Sequence, residues 1–137
     1  MTSSFIKIGK DWFANREWKP FPFQLEAWQA YLQGKSGLVN APTGSGKTYS
    51  LLMPAMLEFM REHNDYKTTK NNGLQIIWIT PIRALSKEIE LSAKRLIDGL
   101  ELSWQVGVRS GDTSLKERAS SLSLMLLRTG PNSASLK

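Results

Sequence analysis

Residues 41–48 read Ala-Pro-Thr-Gly-Ser-Gly-Lys-Thr, between the short apolar run Gly37-Leu38-Val39 and the apolar-rich stretch Leu51 to Met60. Such a sequence can cradle phosphate. Gly44 and Gly46, with Thr43 and Ser45 between and before them, let the backbone approach phosphate oxygens and turn its N–H groups inward, at a helix start that already favours negative charge. Lys47 neutralises the terminal phosphates, and the Thr48 hydroxyl is placed to hold Mg²⁺. Ala41 stands where the signature has glycine. The bland alternative is a glycine turn ahead of a helix; its position directly between an apolar run and a helical pattern favours the cradle.

Other residues could act on a bound nucleotide or a polyanion. Thr80-Pro81-Ile82-Arg83 and Arg109-Ser110-Gly111-Asp112-Thr113 each follow an apolar run. Helix-start amides, Arg83, Arg109, the Thr113 hydroxyl and the close approach that Gly111 permits could grip backbone phosphates. Plain strand-to-helix junctions with solvated arginines explain the same letters. With no cysteine and the single His63, thiolate and multi-histidine metal sites are excluded, which leaves magnesium chemistry.

The elements that must position these residues alternate. A helix is expected from about Phe23, with Leu25, Trp28 and Leu32 on one stripe and Gly34 as its terminator. A short strand at Gly37–Asn40 then leads through the glycine loop into a helix from about Gly46 to Glu62, bent at Pro54. Residues 61–72 read as an exposed loop. Leu74 to Ile79 is almost wholly apolar, as expected of a strand buried on both faces. Thr80 and Pro81 then cap and start a helix with the stripe Ile82, Leu85, Ile89, Leu96 and Leu100. A third strand, Trp104 to Arg109, precedes a charged helical stretch from Ser114. The order predicts an α/β fold: a parallel sheet with helices on its faces and ligands beyond the carboxyl ends of its strands. The tryptophans, Trp28 and Trp78 above all, are expected in the core and not as stacking platforms.

Composition agrees with a soluble domain: 41% hydrophobic, 22% charged, no apolar run of membrane-spanning length, and no secretory leader in MTSSFIKIGKDWF, so the expected location is the cytoplasm. Eighteen Lys plus Arg against twelve Asp plus Glu give +6, a balance that favours polyanionic partners.

Taken together, PFPFQLEAW, APTGSGKT, ITPIRALSKEI and RSGDTS resemble the start of a superfamily 2 nucleic-acid helicase, and more narrowly the large-helicase-related (Lhr) DExH proteins of the ligase-associated bacterial branch. The resemblance covers about Trp12 to Arg118. It implies a P-loop, RecA-like ATP-binding domain, here incomplete, that holds ATP and Mg²⁺ through Thr43, Gly44, Ser45, Gly46, Lys47 and Thr48, with Gln24 reading adenine. It also implies that Thr80, Pro81, Arg83, Arg109, Gly111 and Thr113 grip single-stranded DNA or RNA, and it suggests a functional link to a DNA ligase or exonuclease.

The family's Asp-Glu-x-His box, which positions Mg²⁺ and the attacking water, does not occur in these 137 residues. The expected organisation is an N-terminal segment with the glutamine motif at 1–34, the first part of the ATP-binding domain at 35–118, and a degenerate or out-of-frame tail at 119–137, with Leu124 to Leu127 as a possible strand. Two functions fit: the ATP-binding portion of a helicase, inactive by itself, or a stand-alone P-loop binding module.

Overall fold

A computed structural model describes residues 2–41, 46–63, 65–67, 73–80, 83–110 and 123–129; at 2, 3, 83, 84, 109, 110, 123–125, 128 and 129 the description is of the backbone. The chain divides into two compact units, Met1–Asp65 and Tyr66–Lys137.

The described elements of the first unit are helices: α1 (Thr2–Ala14), α2 (Pro22–Leu32) and α3 (Lys47–Glu62). α1 was not foreseen, although Ile6, Gly9, Trp12 and Phe13 recur at helical spacing and are all buried. Gly9 lets it pack closely, since a β-carbon there would lie 2.8 Å from Cζ3 of Trp28 and 3.3 Å from Cγ of Met53. Trp28 is fully buried, and its indole N–H donates to the Tyr49 carbonyl at 3.0 Å. It therefore joins α2 to the first turn of α3 by packing and by a satisfied polar group. Leu52, Met53, Met56 and Leu57 complete the core.

α2 starts with Pro22 in its first turn, where the missing N–H costs nothing, and ends as expected at Gly34. The Gly34 N–H donates to Tyr31 and the Lys35 N–H to Ala30, a paired helix stop that needs the left-handed φ of 85° at Gly34. The strand expected at Gly37–Asn40 is absent, and Leu38 is 92% exposed. A strand exists by ladder pairing, and the described elements of this unit offer only helices.

In the second unit, β1 (Leu74–Thr80) leads through α4 (Arg83–Leu100) to β2 (Trp104–Ser110), and β3 (Ser123–Thr129) completes a sheet of order β1-β3-β2. The class is mixed α/β, but the sheet is antiparallel, which corrects the parallel RecA-like arrangement expected from the strand and helix order. β1 and β2 do point the same way; β3 enters between them and runs against both. Residues 111–122 join β2 to β3.

α4 packs on one face of the sheet with Ile89, Ala93, Leu96 and Leu100 buried, while Leu85, expected on that stripe, is exposed. Leu127 at the centre of β3 is fully buried, in register with Ile76 and Val106. Burial of β1 on both faces does not hold: Ile77 and Ile79 are 55% and 59% exposed, and Trp78 is half-buried. Alternate residues point to opposite faces, and α4 covers one of them.

Candidate nucleotide and nucleic-acid site

α3 begins where the glycine loop ends. Its N-cap is Gly46, with φ 89° and ψ 28°, a left-handed conformation that glycine alone adopts without penalty. Lys47 is exposed and Thr48 half-buried in the first turn, whose N–H groups have no partners within the helix. Together they present donors, a cation and a hydroxyl at one helix start. Thr43, Gly44 and Ser45 lie outside the described residues.

Gln24 meets this turn from α2. Its side chain is buried, its oxygen accepts the Phe21 N–H at 2.8 Å, and its nitrogen donates to the Gly46 carbonyl at 2.9 Å. The Gly46 carbonyl also accepts the Ser50 N–H at 3.3 Å. Gln24 thereby holds the start of α2 and the cap of α3 together across 22 residues of sequence. One amide N–H and one oxygen lone pair remain, a donor and an acceptor.

Beside Gly46 lies a cavity of about 380 Å³ bounded by Phe13, Trp18, Phe21, Gln24 and Tyr49, with Lys19 at its edge. Its size suits a small ligand. Phe13, Trp18, Lys19 and Tyr49 were not among the expected site residues. Their signal is three-dimensional, because α1 and the turn after it must fold back onto α3 before these side chains share a wall.

In the second unit Thr80 is the last residue of β1 and is buried, Arg109 is next to last in β2, and Arg83 is the first of α4. Thr80 and Ser110 both pair with Ser123 of β3, so the carboxyl ends of β1 and β2 lie in one row, two strand spacings or about 10 Å apart. Thr80 and Arg109, one from each expected strand-gripping segment, thus lie at one end of the sheet. Pro81, Gly111 and Thr113 lie outside the described residues.

Residues 21–132 match the family model described as DEAD/DEAH box helicase. The chain belongs to the DEAD/DEAH box helicase family. Membership implies binding of ATP with magnesium and of nucleic acid in general terms. Among the described residues, no group of three or more His, Cys, Asp and Glu could hold a metal ion.

The chain is 32% identical over 124 residues to the Lhr helicase/probable uracil glycosylase of Mycolicibacterium smegmatis, covering 83% of this chain and 8% of that protein. It is 32% identical over 140 residues to the ATP-dependent helicase Lhr-Core of Methanocaldococcus jannaschii, covering 93% and 16%. The DEAD-box ATP-dependent RNA helicase 41 of Arabidopsis thaliana is 37% identical over 81 residues, 59% of this chain and 16% of that protein. The chain therefore spans a small part of these relatives. No solved structure matches it significantly. No helix among the described residues is long and apolar enough to cross a membrane.

Proposed function

We propose that this chain is the N-terminal ATP- and nucleic-acid-binding part of an ATP-dependent DNA or RNA–DNA helicase of the Lhr type, in its ligase-associated branch. The observation that carries the reading is the junction of Gln24 with Gly46 at the start of α3, where Lys47 and Thr48 stand ready for phosphate and magnesium. In this reading Thr43 to Thr48 hold the phosphates, and the remaining donor and acceptor of Gln24 read adenine. The segments 80–83 and 109–113 hold the backbone of a single strand, a contact that positions without reading sequence. In the same reading residues 1–34 supply the glutamine motif, 35–118 the first part of the ATP-binding domain, and 119–137 a degenerate or out-of-frame tail. The longer protein would act beside a DNA ligase or exonuclease.

The 137 residues bind ATP but turn it over negligibly, because no Asp-Glu-x-His is present to position water. Titration with a fluorescent ATP analogue tests the cradle: Lys47→Ala weakens binding at least about tenfold, in line with the loss of a charge-assisted contact. Equal affinities for the two proteins would refute the reading. Steady phosphate release in the presence of single-stranded DNA would refute the inactivity.

A further inference from the structure

β2 lies at an edge of the sheet: among the described residues β3 is the strand it pairs with. An edge strand directs alternate backbone N–H and C=O groups away from its one neighbour, where another strand can meet them. α4 precedes β2 by a short turn and packs along it, so the last turns of the helix lie beside the first residues of the strand. Between them is a cavity of about 420 Å³, bounded by Lys94, Ile97 and Asp98 of α4 and by Trp104, Gln105 and Val106 of β2. Trp104 is buried, Ile97 and Val106 are half-buried, and Lys94 and Asp98 are exposed. The groove therefore has an apolar floor and a charged rim.

The two rim charges are not equivalent. Lys94 is held by Glu90 at 3.0 Å, one turn back along the helix, whereas the Asp98 carboxylate has no ion pair among the described residues. The rim is thus set to receive a cation. One helical turn, about 6 Å, separates Lys94 from Asp98, and two residues of an extended chain span about 6.7 Å. A strand laid along β2 would present alternate side chains in step with that rim, one over the apolar floor and the next beside Asp98. Pairing of backbone with an edge gives such a peptide its grip, and the pockets for alternate side chains give selectivity. Val106 is the third residue of β2 and Arg109 the sixth, so about 10 Å of strand separates this groove from the end where Thr80 and Arg109 lie.

We infer that the groove between α4 and the edge of β2 docks an extended peptide of a partner protein. The peptide joins the sheet as a strand, with an apolar side chain over Ile97 and Val106 and, two residues along, a basic side chain at Asp98. Fluorescence anisotropy of the full chain with a labelled, capped peptide of sequence Thr-Arg-Thr-Val-Thr-Arg-Thr tests this; a basic residue on either side of the valine suits either strand direction. Saturable binding is expected, about tenfold weaker when both arginines are replaced by glutamate. Asp98→Lys is expected to reverse that preference at an unchanged melting temperature, since the side chain is exposed. Methylation of the three central backbone nitrogens, which removes the ladder donors, is expected to abolish binding. The inference is overturned by failure of the arginine peptide to saturate, by equal affinities for the arginine and glutamate peptides, or by full binding of the methylated peptide. Displacement of the peptide by a single-stranded oligonucleotide would assign the groove to nucleic acid, and a dimer of the chain lost in Asp98→Lys would assign it to a second copy; either result also overturns it.

Discussion

The amide nitrogen of Gln24 lies 2.9 Å from the carbonyl oxygen of Gly46, and a β-carbon on Gly46 would fall 2.5 Å from that same nitrogen. The hydrogen bond and the glycine therefore depend on each other. Gly46→Ala adds both a collision and a left-handed backbone penalty of about 1–2 kcal/mol. Gln24→Ala leaves the Phe21 N–H without its partner, at a cost of about 1–3 kcal/mol. In urea denaturation the double variant is expected to be less destabilised than the sum of the singles, because removing the amide removes the collision. Additive values would show that the contact does not form.

Gly9 predicts a second packing effect. Gly9→Ala forces α1 away from Trp28 and is expected to cost about 1–3 kcal/mol, despite the better helix propensity of alanine. Denaturation followed by tryptophan fluorescence reads both the loss and the changed environment of Trp28. A stabilised variant would mean that α1 does not dock through this face.

Glu17 offers the opposite sign. At φ 60°, Glu17→Gly relieves a strained turn and is expected to stabilise the chain by about 1 kcal/mol, net of the added freedom of glycine in the unfolded state. Thermal unfolding checks it; a lowered melting temperature would exclude a left-handed residue 17.

Glu58 sets a pH dependence. Burial first, and then the neighbouring Glu62, push its carboxyl above the ordinary range, against a smaller downward pull from Arg61. A carboxyl raised in the folded state contributes stability that is fully present below its unfolded value and is lost as pH rises through the folded value. At neutral pH the ionised side chain therefore opposes folding. Glu58→Gln is expected to raise the melting temperature at pH 7 and to lose that advantage towards pH 4, measured by thermal melts across that range.

Ile77 and Ile79 stand exposed on a strand at the edge of the sheet, in a segment without charge. Such an edge recruits other strands. Ile79→Lys is expected to reduce concentration-dependent light scattering while changing the melting temperature little, because an exposed side chain contributes little to the core.

Much of this chain was legible residue by residue. The glycines, Lys47 and Thr48 announce a phosphate loop because their chemistry is local, and α2, α3 and α4 follow from apolar spacing and from the stop at Gly34, which act within a few turns of chain. α1 was legible in the spacing of Ile6, Gly9 and Phe13 and was missed. Strand direction was not legible. Whether β1 and β2 pair with each other or admit β3 between them is decided by competition among distant segments, and here β3 pairs antiparallel with both. The exposure of Ile77 and Ile79 follows from the same decision, since an apolar strand carries no mark of how many faces will be covered.

From the residues alone, then, came the expectation of a phosphate loop, the helices α2, α3 and α4, and a family resemblance whose coarser part, a DEAD/DEAH box helicase domain, the match over 21–132 shows. Tertiary structure alone decided that Gln24 is spent partly on Gly46, and that Trp18, expected among core aromatics, borders a cavity instead. Both depend on α1 and α2 converging at the start of α3, a packing of segments far apart in sequence that no local pattern encodes.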